Sequence, residues 1–164
     1  MIFSSQEQWQ EYQKMHPDMK RYVLVDGLQY ERLFDEELTY LAGLNNPLFR
    51  RYPDAEIAFA GPWLFDTTHG TVFMEKFLTL EKTFPAVSWI YTAQSLDALI
   101  RHFEPYLNVQ LESGETALLR FYDPRILHQS RNIFSQEQLT QFTQPIDEWN
   151  YWLDGQFYSV KGAQ

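Results

Sequence analysis

Leu118-Leu119-Arg120-Phe121-Tyr122-Asp123-Pro124-Arg125-Ile126-Leu127 is the stretch on which the fold turns. Leu118 to Tyr122 is short, apolar and aromatic, the composition of a buried strand. Asp123 ends it. Its carboxylate can accept hydrogen bonds from the free N–H groups of a first helical turn, and Pro124 fits the first helical position without losing a bond. Ile126 and Leu127 then begin the apolar face of a helix. A strand running into a capped helix is half of a βα unit. The stretch therefore predicts an α/β domain with a mostly parallel central sheet flanked by helices.

Arg120 and Arg125 bracket this junction, and both need partners. In one reading they pair with Asp123 or another acid and lock the corner. In the other they form an anion-binding or catalytic Arg–Asp site at a strand end. Alternation places Arg120 on the face of Leu118 and Tyr122, opposite Leu119 and Phe121.

Working outward, Tyr22-Val23-Leu24-Val25 is a continuous apolar run suited to a strand buried on both faces. Asp26-Gly27 breaks it with turn chemistry. Residues 31–42 read as a helix with Phe34, Leu38 and Leu41 on one face and Gly43 as its stop. A loop with Pro47, Pro53 and the basic pair Arg50-Arg51 follows. Two short extended pieces flank Gly61-Pro62, with Trp63 a wedge under the turn. A helix then carries Phe73, Phe77 and Leu80, 87–91 is strand-like, and Ser95 caps a helix that Pro105 ends. After the central stretch come helices over about 125–132 and 135–142. At the start, Ser5 with Gln8 forms a capping-box pattern, and Trp9, Tyr12 and Met15 keep helical spacing up to His16-Pro17. Residues 1–20 thus read as a helical extension. Residues 21–164 form the domain, with an α/β core to about 128 and a helical and hairpin part over 129–160.

That last part has its own grammar. Two aromatic-rich runs, 149–153 and 156–160, are separated by Asp154-Gly155, a strong hairpin signal because both turn positions need positive φ. Tyr151 and Leu153 fall on one face and Trp152 on the other. Rings on both faces predict either that one face lies on the domain while the other meets a partner, or that an edge is left sticky, and the partner reading is preferred. Trp149, Tyr151, Trp152, Phe157 and Tyr158 are the partner-binding candidates, and the hairpin is expected to be removable without loss of the domain.

The totals narrow the function. The 164 residues carry 22 acids against 13 bases, a net charge of −9, which argues against neutralising nucleic-acid phosphates or docking on an anionic membrane. There is no cysteine, so disulfides and thiolate chemistry are excluded. The start, Met1-Ile2-Phe3-Ser4-Ser5, has neither the basic nor the apolar region of a signal peptide, and no apolar run is long enough to span a bilayer, so a cytoplasmic location is expected. Aromatic residues make up 17% of the chain, a surplus that suits interfaces as well as cores. His16, His69, His102 and His128 lack metal-ligand spacing, and no phosphate-cradling loop or nucleophile elbow occurs. Glu104, Glu112, Glu115 and Asp123 are abundant acids from which a carboxylate pair could be drawn. No cofactor is expected.

The central stretch from Arg120 to Leu127 resembles the signature of the type VI secretion effector-adaptor chaperones, a family first known only as a domain of unknown function. Leu24-Val25-Asp26-Gly27, Ala60-Gly61-Pro62-Trp63-Leu64, Ser95-Leu96-Asp97-Ala98-Leu99 and Ser135-Gln136-Glu137-Gln138-Leu139 occur in the family's order, so the resemblance spans roughly 22–150. It implies a non-enzymatic cytoplasmic adaptor that holds a secreted effector and promotes its loading onto a VgrG-type spike. Arg120, Phe121, Tyr122, Asp123, Pro124 and Arg125, with Gly61, Pro62 and Trp63, would then be scaffold. The alternative is a small hydrolase using Asp123 with Arg120 or Arg125 and a distant Asp26.

Overall fold

The computed structural model of the chain describes residues 5–50 and 54–160, without the side chains of Ser5 and Asp54. The Ser5 cap, Arg51 and Pro53 thus lie outside the described residues. In chain order the elements are α1 (Ser5–Met15), β1 (Lys20–Asp26), α2 (Gly27–Phe34), β2 (Asn45–Pro47), a 3-10 segment (Asp54–Ala60), β3 (Pro62–Asp66), α3 (Met74–Thr83) and β4 (Val87–Thr92). They continue with α4 (Leu96–Phe103), a 3-10 turn (Glu104–Tyr106), β5 (Asn108–Gln110), β6 (Thr116–Leu118), α5 (Pro124–Leu127), α6 (Ser130–Ile133), α7 (Gln136–Thr143), β7 (Glu148–Leu153) and β8 (Gln156–Ser159).

Six strands form one sheet in the order β2-β3-β1-β4-β7-β8, and β5-β6 form a separate ribbon. Every neighbouring pair is antiparallel, which overturns the mostly parallel sheet expected from the sequence. The reason lies in how one βαβ unit is filled. β3 and β4 run in the same direction and α3 joins them, as a parallel crossover would. β1 sits between them and is antiparallel to both, so the two parallel strands never touch. The arrangement is a split βαβ unit.

β1 can occupy that slot because the chain returns to the point where it left. Asp26 pairs with Pro62, and the Gly27 N–H donates to the Gly61 carbonyl at 2.8 Å. The approach is too close for any side chain. A Cβ on Gly27 would lie 2.1 Å from the Phe59 carbonyl oxygen and 2.8 Å from that of Gly61. Glycine serves here because backbone meets backbone.

Side-chain alternation assigns the two faces. Arg21, Val23 and Val25 of β1 share a face with Trp89 of β4, covered by α1, α2 and α3 through Trp9, Tyr30 and Phe77. Tyr22, Leu24, Ile90, Trp149 and Tyr151 face the other way, into a core closed by α4, α5, α7 and the central stretch. The Tyr22–Val25 run is thus buried on both faces as expected, although the sheet is antiparallel.

Two further expectations need correcting. The helix read over 31–42 starts earlier. Asp26 caps α2 by accepting from the N–H groups of Leu28 and Gln29, and Asp35 ends it in a left-handed conformation (φ 54°). The central stretch is no sheet strand. β6 stops at Leu118 and pairs only with β5, and a turn closed by the Asp123 N–H on the Arg120 carbonyl (2.9 Å) follows. Alternation holds through Phe121 and fails at Tyr122, which is buried as well. The apolar residues act as a plug. Phe121 packs against Phe103, Phe142 and Trp149 at 5.2, 5.3 and 6.3 Å between ring centroids, and burial of such rings stabilises without any ladder hydrogen bonds.

Candidate partner-binding surface

The signature corner is held by Asp123. Its carboxylate accepts the Arg125 backbone N–H at 2.9 Å as the cap of α5. It also takes Nε and Nη2 of the same arginine at 3.1 and 2.8 Å, a two-pronged pair that fixes the Arg125 side chain. Asp26 stands close enough to feel both Asp123 and Arg120. Burial pushes its carboxyl up to about 6 against the two capping N–H bonds, the charge of Asp123 adds to the rise, and Arg120 opposes it. The structure thus gathers Asp26, Arg120, Tyr122, Asp123 and Arg125 at one end of the sheet, although Asp26 lies far from the others in sequence. Neither Asp26 nor Asp123 lines any of the grooves described below. Gly61 packs against the Phe49 ring, Pro62 pairs with Asp26, and the Trp63 indole donates to the Ala58 carbonyl at 2.9 Å.

The hairpin forms where the sequence places it, with Asp154 and Gly155 at φ 50° and 84°. Its five candidate residues divide sharply. Trp149 is fully buried, donating its indole N–H to Ser88 Oγ at 2.9 Å and packing among Phe103, Phe121 and Phe142. Tyr151 is buried too, and burial pushes its hydroxyl up to about 12. That hydroxyl shares a 2.7 Å hydrogen bond with His128 Nδ1. Because β7 pairs with β4 and carries Trp149 into the core, the hairpin is no removable appendage, contrary to expectation.

Trp152, Phe157 and Tyr158 remain half-exposed. Tyr158 stacks on Tyr151 at 5.6 Å and meets the His128 ring edge-on at 4.7 Å. Trp152 and Phe157 meet edge-on at 4.9 Å on the other face. Lys82 Nζ lies 3.1 Å from the centre of the Trp152 ring and 5.4 Å from that of Phe157, so a cation already sits on the aromatic surface. Beside this pair runs a groove of about 480 Å³ between the end of α3, α5 and the hairpin tip, lined by Lys82, Phe84, Pro85, Arg125, His128 and Trp152 among others. A second groove of about 460 Å³ lies between α6, α7 and Val160, with Phe134 and Leu139 in its wall.

Several residues of this region escape a reading of the sequence. Glu81 is buried in the α3 face, where burial pushes its carboxyl up to about 7 against the indole N–H it accepts from Trp89. Its position four residues after Phe77 already placed a carboxylate on an apolar helical stripe, which was the available signal. Arg21 is buried between the rings of Trp9 and Trp89, 5.6 and 4.8 Å away, and donates to Thr67 Oγ1 at 3.0 Å. It anchors α1 to the sheet, helped by the Trp9 indole N–H donated to the Thr68 carbonyl. No pattern in the sequence marks Arg21, which sits beside an apolar run.

Among the described residues no helix is long and apolar enough to cross a membrane, and no group of three His, Cys, Asp or Glu side chains could hold a metal ion. A family model described as a domain of unknown function, DUF4123, matches residues 21–141. No curated protein and no solved structure matches the chain. The matched span holds the Gly27–Gly61 contact, the signature corner and Lys82, and ends before β7.

Proposed function

The chain belongs to the DUF4123 family, and we propose on that footing that it is a cytoplasmic adaptor, without catalytic activity, that binds a type VI secretion effector and promotes its loading onto a VgrG-type spike. The observation that carries this reading is the half-exposed Trp152–Phe157 pair beside a groove that reaches the family signature at Arg125. Half-exposed rings pre-positioned against each other and against Lys82 present apolar area with little ordering cost, the property of interface anchors. Binding there would act by mass action. An effector segment held in the groove is stabilised in its bound form until the spike takes it. The resemblance of residues 120–127 to the adaptor signature supports the same reading. Asp123 is committed to its cap and to Arg125, and neither it nor Asp26, the carboxylates of the hydrolase reading, lines either groove, which favours the adaptor reading.

The test is co-expression of the full chain with the effector encoded beside it. Trp152→Ala combined with Phe157→Ala is expected to weaken binding about 30-fold or more, the effect of losing a hot spot worth roughly 2 kcal/mol. The far-UV spectrum should be unchanged. Undiminished co-purification by the double variant would refute the site.

A further inference from the structure

The six-stranded sheet has two outer edges, and they are built differently. At one stands β2. The Asp66 N–H donates to the Leu44 carbonyl at 2.8 Å, and the Leu48 N–H to the Pro62 carbonyl at 2.9 Å. By the alternation of an antiparallel ladder, Leu44, Asn46 and Leu48 therefore face β3, and Asn45 and Pro47 turn their backbone groups outward. Neither offers an N–H to a further strand. That of Asn45 donates to the Leu41 carbonyl at 3.2 Å, and Pro47 has none.

At the other edge stands β8. The Val160 N–H donates to the Trp149 carbonyl at 2.9 Å, which sets the phase of this ladder. Tyr158 and Gln156 face β7, and Phe157 turns its N–H and carbonyl outward. Among the described residues no strand lies beyond β8, and those two groups have no partner. Ser159 shares the outward phase but has an interaction of its own, so Phe157 alone marks the open place. The strand Gln156-Phe157-Tyr158-Ser159 holds neither charge nor proline, the devices that keep an edge from pairing. On the face of the Phe157 ring lies Lys82, whose Nζ is 5.4 Å from that ring's centre and 3.1 Å from that of Trp152. Among the described residues Lys82 forms no ion pair, and its neighbour Glu81 is buried and accepts from the Trp89 indole.

We propose that the bound polypeptide adds an extended strand to β8, antiparallel and paired at Phe157, with an acidic residue at the paired position. The residue opposite Phe157 exchanges both backbone hydrogen bonds with it, the geometry of strand addition to a sheet edge. Its side chain falls on the face that holds Phe157, Trp152 and Lys82, because paired residues share a face. Charge decides what it is: a carboxylate there gives Lys82 an ion pair. A second copy of this chain is the poorer occupant. Pairing β8 with β8 brings no carboxylate to Lys82, and each copy carries a net charge of −9. The inference rests on the adaptor reading for the identity of the bound chain and on the ladder for its chemistry.

The probe is N-acetyl-Thr-Val-Thr-Glu-Thr-Val-Thr amide, with a counterpart carrying Lys in place of Glu and a third peptide N-methylated at the Glu backbone nitrogen. Each is titrated into the full chain and followed by amide hydrogen exchange. In the free chain the Phe157 amide is expected to exchange about tenfold faster than that of Tyr158, which β7 holds, and the Glu peptide should slow it about tenfold. The Lys peptide should bind about threefold more weakly, the ratio for an exposed cross-strand ion pair. Lys82→Gln should erase that preference. The N-methylated peptide cannot donate and should protect nothing. A Phe157 amide as slow as that of Tyr158 in the free chain, or one that the Glu peptide fails to slow, would overturn the proposal. So would protection that survives N-methylation, or a preference for Glu that is absent or outlasts Lys82→Gln. Protection that rises with protein concentration and needs no peptide would make the occupant a second copy. The two readings separate in the co-expressed complex. Effector bound while the Phe157 amide stays fast sinks the edge alone. Peptide protection without any effector binding sinks the adaptor reading and leaves the edge standing.

Discussion

Trp149 and Trp152 stand three residues apart on one strand, and the structure gives them opposite consequences. Trp149 is fully buried among Phe103, Phe121 and Phe142 and donates to Ser88. Replacing a buried tryptophan with alanine costs about 3–5 kcal/mol through lost transfer energy and a cavity. The Ser88 hydroxyl, losing its partner, adds about 1 kcal/mol. The total, about 4–6 kcal/mol, is comparable to the whole stability of a small domain, about 5–15 kcal/mol. Trp152 is half-exposed and touches Phe157 and Lys82. Losing the ring pair costs about 0.5–1.5 kcal/mol and the cation contact about 0.5–1 kcal/mol, together about 1–2.5 kcal/mol. Equilibrium urea unfolding of Trp149→Ala and Trp152→Ala, followed by circular dichroism, measures both. Trp149→Ala is expected to be mostly unfolded or to unfold at a sharply lower midpoint, and Trp152→Ala to stay folded. A Trp149→Ala loss below about 1.5 kcal/mol, or equal losses for the two variants, would show that the core is not closed by β7 as argued from burial. The same comparison explains why truncation of the hairpin is the wrong probe of binding, since it would remove part of the core.

Two further expectations concern the frame. Gly27→Ala drives a methyl into two backbone carbonyls, 2.1 and 2.8 Å away, whereas the nearest atoms that Gly61→Ala meets are those of the Phe49 ring, at 2.4 Å. A ring can turn aside and backbone cannot, so Gly61→Ala should cost about 1–3 kcal/mol and Gly27→Ala more, ranked by thermal unfolding midpoints. Glu81 holds its proton to about 7 when folded, against an ordinary value of 4.5. Ionising it costs the folded state more than the unfolded one, so stability present in acid is lost as pH rises from about 4.5 through about 7. Glu81→Gln keeps an acceptor for Trp89 and should flatten a decline on the order of 3 kcal/mol in urea titrations across that window. A decline of unchanged slope would place the titrating group elsewhere.

The signals that were legible in the chain are those read from immediate neighbours. Asp123-Pro124 and Ser95 announce their caps, and Asp154-Gly155 its turn, because each is decided by local φ and by the nearest N–H groups. Strand direction was not legible. The Tyr22–Val25 run shows burial on two faces, and helices can cover an antiparallel sheet as well as a parallel one. What set the direction was the Gly27–Gly61 contact, whose partners are far apart in sequence and carry no shared pattern. Asp26-Gly27 was misread for a related reason. Glycine at the start of α2 looks like a breaker, but its role is close approach. At the candidate surface, the hairpin's aromatic content was visible but not its division. Which ring enters the core depends on α4, the central plug and α7 lying on one side of the sheet and α3 on the other.

The placing of β7 has a consequence for synthesis. Until the residues around Trp149 have left the ribosome, β4 is the outer strand of an unfinished sheet, and the slot among Phe103, Phe121 and Phe142 stands empty. A nascent chain in that condition offers both an unpaired strand edge and a cluster of bare rings to its neighbours. The molecule is therefore exposed to misassembly until its last stretch arrives, and a stop codon shortly before Trp149 would leave an aggregating fragment instead of a smaller working protein.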